Sequence, residues 1–186
     1  MFSRDNLFVA SFLLAVLLLV VLAGSALAET PPMHSPQVTQ QLKDLKQTAF
    51  EMRKEADTLT SMLPSKRYGW ESHTYRLDAL KTYVNEMGKS LAELESQKPV
   101  TGERQTLAIE QTRLHLVPAA QNLSRAIELV NENRDSVIWD DYGAAVRGVY
   151  AHATALHSKL DTILDYEYAR TRFERLEGES RVQVGE

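Results

Sequence analysis

The sequence predicts an all-α protein, an up-down-up-down antiparallel four-helix bundle that follows an N-terminal signal segment. Two observations carry this expectation. Apolar residues recur at alternating three- and four-residue spacing through four long stretches, and short breaks rich in Pro, Gly and Asn separate those stretches. Four amphipathic segments joined by short loops can bury four stripes only by packing antiparallel about a common axis. The same spacing suits an extended coiled-coil hairpin that dimerises to complete its core, so a homodimer is the alternative assembly.

The first helix is expected over 36–63. Ser35 can cap it, and Pro36 occupies the first helical position, where a missing N–H costs nothing. Its stripe is Val38, Leu42, Leu45, Ala49, Met52, Ala56, Leu59 and Leu63. Pro64 and Gly69 then break the chain, and a second helix over 66–97 carries Trp70, His73, Leu77, Leu80, Val84, Met87, Leu91 and Leu94. Thr101 is the expected cap of a third helix over 103–133. That third stripe is broader and less regular: Leu107, Ile109, Leu114, Leu116, Val117, Ala120, Leu123, Ile127 and Val130. Pro118 lies inside it and is expected to kink it.

After turn residues from Asn131 to Ser136, the fourth helix is expected over 137–177, with Trp139, Tyr142, Val146, Val149, Ala153, Leu156, Leu160 and Ile163 in its seam. A slip of phase continues that seam through Tyr166, Ala169, Phe173 and Leu176, and Gly178 is the expected stop. Residues 178–186 read as a disordered tail. Small residues concentrate on the fourth helix at Gly143, Ala144, Ala145, Gly148, Ala151, Ala153 and Ala155, allowing a close neighbour or an additional partner helix.

The start of the chain has a processing pattern. Arg4 precedes an apolar run from Leu7 to Ala23, Gly24-Ser25 interrupts it, and Ala26-Leu27-Ala28 presents small residues to a signal peptidase. Residues 1–28 are therefore the expected signal peptide and 29–35 a flexible leader before the bundle at 36–177. Removal leaves an exported, periplasmic or extracellular protein with no stable membrane insertion, whereas retention would make a membrane-tethered sensor or adaptor.

Composition excludes several classes of function. The 186-residue chain has no cysteine, hence no disulfide framework, thiol nucleophile or thiolate zinc site. Its 21 Lys plus Arg against 25 Asp plus Glu leave no basic excess for a phosphate backbone, so no nucleic-acid partner is expected. There is no Gly-x-Ser-x-Gly elbow and no phosphate-cradling loop, and no catalytic residue is assigned. No histidine has Glu three positions earlier, as carboxylate-bridged di-iron bundles require, and His152 and His157 are too far apart in sequence to chelate one metal. No metal site is expected.

One constellation remains. Up-down topology brings the loop after the first helix to the same end as the loop after the third, so Trp70 and His73 converge with Trp139, Asp140, Asp141 and Tyr142. Aromatic walls with a few polar groups are what a small-ligand cleft needs, although large aromatics also serve simply to plug a bundle end. His73 stands out, because its seam position points an imidazole inward, where it must find a hydrogen-bond partner or a ligand. A bundle holding a b-type haem through a histidine and one of the inward-facing methionines Met52, Met62 or Met87, or a metal through His73 with a methionine or carboxylate, is an alternative; methionine as flexible core filler is the simpler explanation. The expected function is thus a non-enzymatic bundle that binds a protein partner or a small ligand.

Overall fold

The computed structural model describes residues 35–65, 67–97, 101–132 and 139–184. The expected signal peptide, residues 29–34 of the leader and residues 133–136 of the expected turn lie outside the described residues. Four helices are present, α1 (Pro36–Met62), α2 (Trp70–Ser96), α3 (Glu103–Glu132) and α4 (Trp139–Val184), and there is no strand among the described residues. No helix of the described residues is long and apolar enough to cross a membrane.

Each helix packs against its sequence neighbours, and α4 closes the ring on α1. Side-chain contacts show successive helices running in opposite directions. Arg76 of α2 reaches both carboxylate oxygens of Glu55 late in α1, at 2.9 and 3.0 Å, while Gln97 after α2 donates to Gln41 early in α1 at 3.2 Å. Lys46 of α1 meets Asp161 of α4 at 2.9 Å. Such half-exposed pairs add little stability; they record the register. The four seams therefore close on one another within a single chain, as a bundle rather than an open hairpin.

Helix α1 begins as its sequence dictates. The Ser35 hydroxyl accepts from the Val38 N–H at 3.4 Å with Pro36 at the first helical position. Seven of its eight expected seam residues are buried; the eighth is Met62 rather than Leu63, because the helix ends there and Leu63 becomes the C-cap. Helix α2 starts at Trp70, later than expected. Gly69 occupies its N-cap without a side-chain bond, and Glu71 lies in its first turn, at the positive end of the helix dipole.

The expected cap of α3 is corrected. The Gly102 carbonyl accepts from the Thr106 N–H at 2.9 Å and so holds the N-cap position, while the Thr101 hydroxyl pairs with the Thr106 hydroxyl at 2.8 Å. Gln105, three residues into the helix, reaches back to the Gly102 N–H at 3.2 Å, one half of a capping box. The same buried side chain donates to the Ser35 carbonyl at 2.8 Å and to the Thr39 hydroxyl at 2.9 Å. One glutamine thus ties the first turn of α1 to the first turn of α3.

Helix α3 runs unbroken through Pro118 to Glu132, and its stripe proves to be two. Ala108, Ile109, Thr112, Leu116, Ala119, Leu123, Ala126 and Val130 face the core. Leu107, Leu114 and Val117, expected in the same seam, lie on the opposite side and are 42%, 59% and 48% exposed. At 3.6 residues per turn, the two sets sit roughly half a turn apart. The close approach anticipated from the small residues of α4 is seen at Gly148, where an added Cβ would stand 2.5 Å from the Asn122 side chain of α3.

Helix α4 departs furthest from expectation. It passes Gly178 and continues to Val184, 46 residues or roughly 69 Å at 1.5 Å per residue. Tyr142, Val146, Val149, Ala153, Leu156, Leu160 and Ile163 are buried as expected, yet burial stops at Leu164. Tyr166, Phe173 and Leu176 remain 51%, 61% and 49% exposed. The cause is the length of the neighbours. Arg104, the second residue of α3, is already level with Tyr166, its guanidinium 3.6 Å from the ring centroid, and it lies 3.7 Å from Glu167.

Candidate functional site

The bundle end predicted from topology brings two of its six candidates into direct contact. His73, in the first turn of α2, and Tyr142, in the first turn of α4, are both fully buried, with Nδ1 and the phenol oxygen 3.0 Å apart. Their rings meet edge to face at 5.4 Å and 76°, the arrangement that suits the ring quadrupoles. Trp70 is half-buried and packs on the core from the start of α2. Asp140 and Asp141 are exposed in the first turn of α4, well placed against its dipole. Trp139 opens α4; its side chain lies outside the described residues.

Burial dominates the electrostatics of this pair. It pushes the Tyr142 phenol well above its ordinary range and holds the His73 imidazole below its usual value of 6.5. Tyr142 stays protonated, and the neutral imidazole can accept from or donate to it according to tautomer. Met52, Met62 and Met87, the methionines considered as haem partners, are all buried in the same apolar cluster. Among the described residues there is no group of three or more His, Asp or Glu side chains able to hold a metal ion.

An open groove of about 450 Å³ runs between the end of α1 and the start of α2. Ser61, Tyr68, Glu71, Ser72, Tyr75 and Arg76 line much of it. A second groove, about 530 Å³, lies on the outward face of α3 and is lined by Glu110, Gln111, Arg113, Leu114, Val117 and Pro118. The sequence carries a signal for this second face: Leu107, Leu114 and Val117 fit poorly beside Ile109, Leu116 and Leu123 on one narrow stripe. Reading the series as a single broad seam conceals it.

Sequence reasoning also misses a second histidine pair. His115 of α3 and His152 of α4 meet across the helix interface with ring centroids 5.8 Å apart and ring planes tilted by 43°. Burial is the main cause holding His115 below its ordinary value, with repulsion from His152 and Lys159 adding to it. Its buried Nδ1 has no hydrogen-bond partner among the described residues. No one-helix pattern signals this pair, because it joins positions 37 residues apart that only the α3–α4 register aligns.

These histidines make stability depend on pH. His73 and His115 have folded-state values below the unfolded value of about 6.5, so the unfolded chain binds more protons as acid is added. The stabilisation is complete above about pH 6.5 and is lost as pH falls through the folded values. Urea midpoints should be level between about pH 7 and 8 and decline below about 6.5, with a shallower decline in His115→Gln. A midpoint unchanged down to about pH 5.5 would contradict this account.

Compared with family models, curated proteins and solved structures, the chain matches none.

Proposed function

We propose that this protein is an exported, non-enzymatic helical bundle that binds a protein partner along the outward face of α3. One observation carries the reading: Leu107, Leu114 and Val117 stand exposed on the side of α3 opposite its core stripe. A helix that packs through one face needs no second apolar face for its own folding, whereas an amphipathic helix of a partner could lay its apolar side there. Pro118 borders the groove, and because it has no N–H, the Leu114 carbonyl lacks its ordinary helical donor at this point. Export is supported by Arg4, the apolar run Leu7 to Ala23 and Ala26-Leu27-Ala28.

The small-ligand reading would take instead the groove lined by Tyr68 and Tyr75, which includes none of the six residues expected to wall a ligand. The polar candidates at that end divide between a buried pair, His73 and Tyr142, and the exposed Asp140 and Asp141.

A photo-crosslinking residue at position 114 of the full chain, expressed in its own host, tests the proposal. The expected result is one discrete protein adduct that Val117→Asp abolishes and that the same probe at position 81, on an exposed site of α2, does not form. Equal labelling from positions 114 and 81 would overturn it. A bound small molecule detected by native mass spectrometry, with no adduct at 114, would favour the ligand reading.

A further inference from the structure

The part of α4 beyond Leu164 carries an apolar seam that the described residues leave largely exposed, with the Arg104 guanidinium of α3 lying over the Tyr166 ring at its near end. Tyr166, Ala169, Phe173 and Leu176 follow the 3-4-3 spacing of a coiled-coil interface, and all four are exposed. They lie roughly 160–240° around the helix from the buried Leu160, on the side facing away from the bundle core. In heptad terms Tyr166 and Phe173 occupy a, and Ala169 and Leu176 occupy d. The g and e positions that pair with each other across these layers are Asp165 and Arg172 (g) and Arg170 and Glu177 (e), whereas the next g, Glu179, has the uncharged Val184 as its parallel e position.

These four charges indicate what covers the seam. In a parallel pair of identical helices, each g residue faces the e residue five positions on in the other copy. Asp165 then meets Arg170, and Arg172 meets Glu177, on both sides of the seam. An antiparallel pair that stacks Tyr166 on Leu176 and Phe173 on Ala169 would set Arg170 against Arg170 and Arg172 against Arg172. The first arrangement attracts at each of these flanks and the second repels. Arg170 already donates through Nε to Glu174 of its own helix at 2.7 Å, and a guanidinium has further donors for a second carboxylate.

We propose that two copies of this protein associate through a parallel pairing of their α4 extensions. The surface is distinct from the outward face of α3. Because the seam faces away from the core, the two bundles stand on opposite sides of the paired helices. Alongside the bundle, the same side of α4 presents the exposed small residues Ala144, Ala151, Ser158 and Thr162, which leave the copies room to approach. A membrane surface fits less well. The stripe is narrow and flanked by both signs of charge, whereas interfacial helices have a broad apolar face bordered by Lys and Arg.

The test is sedimentation equilibrium of the full chain over a concentration series. A reversible dimer is expected, and Phe173→Asp should raise its dissociation constant about a hundredfold or more while leaving the helical signal intact. Arg172→Glu and Glu177→Arg should each weaken the dimer, and the double variant should restore it. The cysteine-free chain allows a direct check of register. Leu176→Cys should form a disulfide-linked dimer under oxidation, and Thr171→Cys, exposed on the other side of the helix, should not. A monomer at every concentration, a dimer indifferent to Phe173→Asp, or a double charge reversal without rescue would overturn the proposal. So would binding to phosphatidylglycerol vesicles that Phe173→Asp abolishes in a protein that stays monomeric.

Discussion

Replacing Leu80 with Asp is expected to remove most of the protein's stability, whereas Lys81→Asp should leave it nearly unchanged. Leu80 is fully buried in the middle of α2, within the cluster shared by all four helices. Truncating a buried leucine costs about 2–5 kcal/mol, and an aspartate there adds an unpaired buried charge worth several kcal/mol more. Against a typical stability of about 5–15 kcal/mol, the sum removes most of the margin. Lys81 is the next residue but points outward and is exposed, and surface changes of this kind usually stay within about 0.5 kcal/mol. Urea unfolding followed by circular dichroism separates the two. Similar losses from both variants would show that the register assigned to α2 is wrong.

The second large effect is expected at Tyr142, the largest fully buried side chain among the described residues. Tyr142→Ala should cost about 3–5 kcal/mol, the range for losing a buried aromatic ring. Tyr142→Phe retains the ring and removes the hydroxyl that meets His73 Nδ1, so its cost should be about 1–3 kcal/mol, the penalty for taking a partner from a buried polar group. The two variants therefore separate packing from hydrogen bonding in one pair. A loss below about 0.5 kcal/mol in Tyr142→Ala, the level of a surface change, would show that the bundle end is not packed through this residue.

Much of this arrangement is legible in the amino-acid sequence. The stripes of α1 and α2, and that of α4 as far as Ile163, can be read from spacing, and the inward direction of His73 follows from its place in the α2 seam. Its partner does not. Tyr142 is one of several polar groups gathered at that end, and choosing it over Asp140 or Asp141 depends on which side of α4 turns toward α2. The His115–His152 contact depends in the same way on the α3–α4 register.

Spacing along one helix establishes which residues share a face, because the backbone repeats every 3.6 residues whatever surrounds it. It therefore points to the all-helical character and to apolar stripes on all four segments. It carries no information about what lies opposite a stripe. Leu107, Leu114 and Val117 are as apolar as Ile109, Leu116 and Leu123, and only the placement of α1, α2 and α4 decides which set is buried. Likewise the seam of α4 extends in sequence to Leu176, but its burial ends where α3 begins at Glu103, level with Tyr166. Core and exposed face are properties of the neighbours as much as of the helix, since burial requires a second surface within contact distance.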